Sequence, residues 1–455
     1  MTAPAVLACG VRRVGDVLVG AGSRRVVRLS PRGSEALDAL LAGRAHPRSD
    51  ALRTLLLERG MLDVAPAAPR RDEVTVVVPA RARAAEVLAS LAGVPAGVAV
   101  VVVDDGSPDP LPSRLPGRRV LRRTASEGPG AARNRGAREA ATPLVAFVDT
   151  DVELPEDALD RLTGHFADPR VVAVAPRVVS RAAQGWAGVL EQQLCALDLG
   201  TRSGLVGHGH AVPYVPSTVL VVRRSAFLDA GGFDEDLRIG EDVDLVWRLS
   251  AHGQVRYDPG VVVRHGPRRT VVQALRRRAD YGTSAAPLDA RHPQRLRHLQ
   301  ISVWSALPWL ASLVHPVVGI ATAGALVAVA PRGMRDLPPR EARRLAARGQ
   351  WAAFGATGRY AIRPAAPLTA TALSLVPRTR RLVPLLAAAY LAGSWPRLTT
   401  GPRRDLLRRA VLSLADDLAY SSGVWASAAR HRRPAVLLPG LLPTERRRLR
   451  PARRT

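Results

Sequence analysis

Four groups of residues in the middle of this chain have types and spacings that can do chemistry. The first is Asp104-Asp105 before Gly106-Ser107, two carboxylates at the end of an apolar run. Carboxylates there can accept hydrogen bonds from a ribose or a base N–H. The second is Gly128-Pro129-Gly130, a glycine-rich turn opening a helix that carries Arg133 and Arg135. Backbone N–H groups at such a terminus, with guanidinium forks beside them, suit a diphosphate, although the spacing is neither the dinucleotide-binding nor the P-loop pattern. The third is Asp149-Thr150-Asp151, closing the apolar run 145–148. On extended backbone two carboxylates one residue apart point the same way, and such hard oxygen ligands are what Mg²⁺ or Mn²⁺ needs when it also holds a diphosphate. The fourth is Gly240-Glu241-Asp242, followed by Asp244. A carboxylate at a helix start, ionised at neutral pH, is placed to take a proton from an attacking hydroxyl. Each group alone also reads as ordinary structure: a turn, a helix start, a solvated strand end, a capped helix.

These residues need elements to hold them. Val74 to Val78, ending in Pro79, is a continuous β-branched run, and a second follows at 98–103, with a helical pattern at 84–91 between them. Such runs are the pattern of parallel strands covered on both faces. Further strands are expected at 144–148, 171–175 and 219–222, and strand patterning fades after Val263, so an α/β domain is expected over 72–298. Ahead of it, 1–68 reads as a small module: an alternating stretch at 17–29, Ser30-Pro31 as a helix start, helical spacing of Ala36, Leu37, Leu40 and Leu41, and a second short helix at 52–58.

Beyond residue 299 the texture changes. Residues 301–330 contain no charged side chain apart from His315, and a bilayer needs only about 20 apolar residues to be crossed. Pro308 and Pro316 interrupt the run; a kinked span, a hairpin and interfacial helices all fit it. An apolar helical, membrane-associated region is therefore expected over 299–430, and an arginine-rich tail over 431–455. The chain has 455 residues and a formal net charge of +27, and all 66 basic residues are arginine. That field favours polyanions without choosing among nucleic acid, anionic lipid and diphosphates. The two cysteines, Cys9 and Cys195, support neither a disulfide scaffold nor a cysteine metal cluster. The start lacks the pattern of a signal peptide, so the catalytic part is expected in the cytoplasm.

Taken together and in this order, the motifs resemble the family-2 inverting glycosyltransferases of the GT-A fold over about 200 residues. The resemblance implies that Pro79, Asp104, Asp105, Arg133 and Asp149 lie on the sugar-nucleotide side, with Asp104 and Asp105 addressing the uridine. It implies that Asp149 and Asp151 form the metal-binding Asp-x-Asp motif for Mg²⁺ or Mn²⁺, that Asp242 is the catalytic base and that Glu241 stands on the acceptor side. Gln273, Arg276 and Arg277 look like the Gln-x-x-Arg-Trp motif of processive members, with Arg277 where tryptophan is expected. The 1–68 module resembles the winged-helix modules of the PqqD type, which bind peptides in ribosomal-peptide maturation, through Leu29-Ser30-Pro31 and the helix after it.

Over nearly the whole chain the likeness is narrower. That start, Arg276-Arg277-Arg278 before Tyr281-Gly282-Thr283, the 301–330 segment, and Asp416-Asp417 before Gly423-Val424-Trp425 resemble the mycofactocin-system glycosyltransferases. Members of that family decorate a peptide-derived redox cofactor with β-linked glucose. The resemblance implies UDP-glucose as donor and a peptide-derived small-molecule acceptor. Membrane lipids as a further partner and a place on the cytoplasmic face of the cell membrane are expected from the apolar 301–330 run, its arginine-rich flanks and the need for cytosolic sugar nucleotide. A transferase acting on a polyprenyl phosphate or an envelope polysaccharide is the alternative with the same motifs. A nucleic-acid partner is not expected, since DNA binding requires neither the ordered acidic motifs nor the long uncharged segment. His208 and His210, before the strand at 219–222, are read as a solvated loop rather than metal ligands.

Overall fold

The valine-rich runs form the centre of a mixed sheet. The computed structural model describes residues 5–20, 26–64, 66–112, 114–116, 118–268 and 270–442. Among these, a ten-stranded sheet has the order Val152–Glu153, Gln254–His265, Val171–Ser180, Val219–Arg223, Leu144–Val148, Val74–Ala80, Ala99–Asp105, Arg118–Arg123, Arg114–Leu115, with Gly204–Val206 paired to Gln254–His265. Leu144–Val148, Val74–Ala80, Ala99–Asp105 and Arg118–Arg123 run parallel. Val219–Arg223 is as apolar as its neighbours but antiparallel to Leu144–Val148. Burial on both faces selects β-branched residues whatever the strand direction, so direction is not written in these runs. The strand expected at 171–175 runs on to Ser180, with a register shift between Pro176 and Arg177: the proline lacks an N–H for the ladder, and the irregularity absorbs it.

One face of the sheet is sealed by Val76, Val78, Val102, Val148 and Val221 packed with Leu159, Leu162 and Phe166. On the other face the helix Pro129–Glu139 crosses so closely that a Cβ on Gly136 would lie 2.2 Å from Val77 Cγ1. Beside it Phe147, Phe227 and Phe233 meet with ring centroids 5.2–5.7 Å apart. The parallel strands thus end together: Pro79 is opposite Val103, Ala80 opposite Asp104, and Leu144–Val148 delivers Asp149 to the same edge.

The residues before 65 fold as expected for a helix start at Ser30, whose Oγ caps Gly33 N at 3.1 Å. Three short strands, Arg12–Val14, Val17–Val19 and Val26–Arg28, form a meander, Ala5–Leu7 pairs antiparallel with Leu62–Val64, and the helices Pro31–Leu41 and Ser49–Glu58 close a core of Leu18, Leu37, Leu56 and Met61. Part of the alternating stretch, 21–25, lies outside the described residues. This module is in one compact unit with the sheet, spanning Met1–Ala274: Asp63 accepts from Ser203 Oγ at 2.6 Å and pairs with Arg256 at 3.3 Å.

The second unit is Leu275–Thr455, so the division falls earlier than the expected 298/299. The cause is packing: Ala285 and Ala286 share a core with Val424, Ala428, Val436 and Leu437, which ties residues 285–291 to the C-terminal helix Leu406–Arg430. The apolar run 301–330 becomes two helices, Val303–Ser312 and Pro316–Gly333. Pro308 lies inside the first, its carbonyl taken by Ser312 Oγ at 2.7 Å, and Pro316 starts the second. Pro316–Gly333 has the length and hydropathy to cross a membrane, with only 6% of it buried. Trp304, Leu310, Leu313, Val314, Val317 and Ile320 are exposed. The pair leans on the helix Pro339–Ile362 through the stacked rings of Trp309 and Phe354. That helix in turn lies against Val383–Leu398, where a Cβ on Gly358 would be 2.3 Å from the backbone of Ala389. Of the arginine-rich tail, residues 443–455 lie outside the described residues.

Candidate active site

Asp104 and Asp105 sit where the sequence expects them, at the carboxyl end of Ala99–Asp105, and both are buried. Asp104 accepts from Ser107 N at 2.9 Å, Leu111 N at 3.1 Å and Arg122. Burial pushes its carboxyl up, and these bonds outweigh that and hold it below the usual carboxylate range. Asp105 accepts from Ser126 Oγ at 2.8 Å, Glu127 N at 3.1 Å and Gly128 N at 2.9 Å. Bonds that the sequence reading left for a nucleoside are here made to the chain's own loops. Asp105 thereby fixes Gly128, whose φ of 102° turns the chain into the helix carrying Arg133.

Arg133 is the centre of the site, with 4% of its side chain exposed. Its Nη2 donates to Asp149 Oδ1 at 2.5 Å, Glu241 Oε1 is 3.9 Å from Nη1, and the guanidinium lies over the Phe233 ring at 5.3 Å. Burial lowers its pKa, and Asp149 and Glu241 more than reverse this. Its Nε and Nη1 are buried without a hydrogen-bond partner, an arrangement that suits an oxyanion. Asp149 follows the strand end and is pinned by its own N–H donating to Thr218 O at 3.0 Å. Burial raises its pKa; Arg133 opposes this, while Asp151 and Asp242 add to it. Asp151 is exposed two residues on, and its carbonyl accepts from Gly266 N at 2.9 Å.

Gly240, with φ 85°, turns the chain into the helix Glu241–Leu249, so both acids stand in its first turn. Val243 N donates to Asp242 Oδ1 at 2.8 Å. Burial raises Asp242 above its ordinary pKa and lifts Glu241 to about 7, where repulsion by Asp242 also contributes. The structure therefore brings Arg133, Asp149, Glu241 and Asp242 into one electrostatic cluster with Asp151 at its rim. Among the described residues no group of three or more His, Cys, Asp and Glu side chains is arranged to hold a metal. Asp149 and Asp151 offer two hard oxygen donors in a place already overloaded with negative charge, and that chemistry fits a divalent cation.

Asn134 has a role not foreseen in the sequence. Its Oδ1 accepts from Phe233 N and its Nδ2 donates to Phe233 O, both at 2.8 Å, which clamps the loop leading to Glu241 onto the helix of Arg133. Adjacency to Arg133 was the only available signal. Pro79 lies at the same sheet edge, opposite Val103. Gln273, Arg276 and Arg277 lie on the helix Val271–Thr283 and are exposed, with Arg277 stacked over Tyr281 at 4.9 Å. The division between the units passes through that helix, between Ala274 and Leu275. His208 is exposed and His210 half-buried in the loop before Val219–Arg223.

A mixed sheet whose carboxyl edge gathers an arginine and four acids is the layout of a nucleotide-sugar transferase, and residues 75–229 match the family described as Glycosyl transferase family 2. The chain is 36% identical over 452 residues to the pre-mycofactocin glycosyltransferase of Mycobacterium tuberculosis, covering 94% of this chain and 96% of that one. It belongs to that family, the mycofactocin-system family-2 glycosyltransferases, and is a glycosyltransferase of GT-A-like fold that uses a nucleotide-sugar donor and an acceptor. An uncharacterised glycosyltransferase of Mycobacterium bovis is 30% identical over 212 residues, which cover 45% of this chain and 92% of that one. Among solved structures, a mannosyltransferase of Pyrobaculum calidifontis in complex with GDP-Man and Mn²⁺ is similar at 22% identity and a TM-score of 0.40, covering 80% of this chain and 98% of that one.

Proposed function

We propose that this enzyme moves glucose from UDP-glucose onto a peptide-derived acceptor of the pre-mycofactocin type, with inversion and so with a β-link. The observation that supports the reading is the convergence of Asp149, Glu241 and Asp242 on Arg133, whose Nε and Nη1 are buried without a hydrogen-bond partner. Mg²⁺ or Mn²⁺ would be held by Asp149 and Asp151, and when bound it supplies positive charge against the leaving diphosphate. Arg133 orients the diphosphate. Asp242 takes the proton of the acceptor hydroxyl as its oxygen bonds to the anomeric carbon and the bond from that carbon to the diphosphate oxygen breaks. A carboxylate raised by burial is a better base for this than an ordinary one. Glu241 shares the charge of Asp242, so the two titrate as a pair.

The 1–68 module serves peptide recognition in this reading. The exposed apolar faces of Val303–Ser312 and Pro316–Gly333, with Arg332 in the last turn and Arg335 just beyond it, dock the enzyme on the cytoplasmic face of the membrane. The test is a panel of labelled sugar nucleotides offered with and without chelator, reading label in small-molecule, lipid and polymer fractions. Chelator-sensitive transfer from UDP-glucose to the small-molecule fraction is expected. Label in an organic extract would instead favour a polyprenyl-phosphate acceptor.

A further inference from the structure

Two stretches prominent in the sequence, Arg276-Arg277-Arg278 and Asp416-Asp417, have no part in the transfer chemistry. In the second unit the helices Val271–Thr283 and Leu406–Arg430 bring Arg278 and Asp416 together as a buried ion pair. Pro339–Ile362 and its C-cap add Arg359 and Arg363, whose Nη2 and Nε lie 3.2 and 3.6 Å from Asp417 Oδ1. Val383–Leu398 adds Arg397, with Nη1 3.7 Å from Asp416 Oδ2 and 3.8 Å from Asp417 Oδ1. Tyr390 also donates to Asp417, at 3.3 Å.

Among the described residues four guanidinium groups therefore share two carboxylates, with Arg278 paired to Asp416 and three arginines gathered on Asp417, a surplus of two positive charges there. Three donors, Arg359 Nε, Arg363 Nε and Arg397 Nη1, are buried without a hydrogen-bond partner. Burial first, and then repulsion by Arg359 and Arg363, brings Arg397 down to about 9. His298, at ring contact with Tyr420 beneath Arg363, is held neutral by burial and by Arg363 and Arg297, so it adds no further positive charge. Uncompensated charge in such a place is costly, and a folded chain keeps it where something of opposite charge binds. The cluster reaches the surface of the unit: 24%, 23% and 30% of the Arg359, Arg363 and Arg397 side chains remain exposed, around donors that are themselves buried.

We propose that this cluster is an anion site for a phosphate monoester or terminal phosphate, separate from the transfer site and independent of how that site is read. A phosphate carrying about two negative charges at neutral pH cancels the surplus, which one carboxylate would not, and its oxygens match guanidinium forks. The group can come from a soluble phosphate or from a lipid headgroup such as phosphatidic acid.

The full chain and an Arg363→Gln/Arg397→Gln variant are melted in chloride buffer with increasing inorganic phosphate, and sedimented with phosphatidylcholine vesicles with or without phosphatidic acid. In chloride the variant is expected to melt at or above the parent, because it has shed surplus charge. Saturable phosphate stabilisation of the parent, at least halved in the variant, identifies a soluble phosphate. A phosphatidic-acid preference lost in the variant identifies a headgroup. A cooperative unfolding transition retained by the variant in chloride shows that it is folded. No response of the parent to phosphate or phosphatidic acid, an equal response in the variant, or a variant less stable than the parent by the same margin in every buffer overturns the proposal.

Discussion

The two charged clusters of this chain are built from the same side chains in opposite proportions. At the sheet edge one arginine, Arg133, faces Asp149, Glu241 and Asp242, with Asp151 beside them. In the helical unit Arg278, Arg359, Arg363 and Arg397 face Asp416 and Asp417. The pKa shifts carry the mark of each imbalance. Burial drives both shifts and like charges add to them: Glu241 rises to about 7 beside Asp242, and Arg397 falls to about 9 beside Arg359 and Arg363. In the reading proposed above, the acid-rich edge takes a cation that carries a diphosphate and the arginine-rich cluster takes an anion. Net charge of the whole chain, +27, reveals neither.

The largest effect that would break this contrast is at Asp151. Asp151→Ala is expected to abolish metal-dependent donor binding, read by calorimetry with Mn²⁺ and UDP-glucose, because one carboxylate of the pair then remains. Donor binding by the wild type that is indifferent to chelator would remove the metal from the account.

A middle-sized effect is expected on stability. The folded pKa of Glu241, about 7, lies above its ordinary 4.5, so between those values the folded chain binds more protons than the unfolded one. Stability contributed by protonated Glu241 is therefore present at low pH and lost as pH rises toward and through 7. Glu241→Gln should stabilise the ligand-free chain at pH 8 by about 1–3 kcal/mol and by little at pH 5, measured by chemical denaturation. The same stabilisation at both pH values would show that the carboxyl is not strained by its neighbours.

The smallest effect concerns the apolar surface of the second unit. Leu313→Ser combined with Ile320→Ser replaces two exposed side chains, so folding should change little, while the share of full chain that sediments with membranes should fall severalfold. Unchanged sedimentation would leave the arginines as the attachment, which a high-salt wash reads directly.

What the sequence made legible is what repeats or has a fixed spacing. The valine runs locate the central strands, Ser30-Pro31 locates a helix start, and Asp149-x-Asp151 and Glu241-Asp242 appear at a strand end and a helix start as expected. What stayed hidden depends on partners distant in sequence. The role of Asp105 as an anchor for Gly128, the clamp of Asn134 on Phe233, and the antiparallel course of Val219–Arg223 need the folded chain to be seen. So does the division at Leu275: nothing in the composition of residues 275–298 announces that Ala285 and Ala286 pack against Val424 and Ala428. The run 301–330 was readable as apolar and proline-broken, but whether Pro308 ended a helix was not; the Trp304 carbonyl that Pro308 leaves without its helical donor accepts from Gln350 Nε2 at 3.1 Å, and the helix passes through.

The most direct test of the account is Asp242→Asn, with turnover and donor affinity measured separately on the full chain with UDP-glucose and the peptide-derived acceptor. A positioned base contributes about 10²–10⁴ in rate, so turnover is expected to fall by ~10²-fold or more while UDP-glucose affinity stays within a few-fold of wild type. Turnover that survives the substitution would contradict the assignment of Asp242 as the group that takes the acceptor's proton.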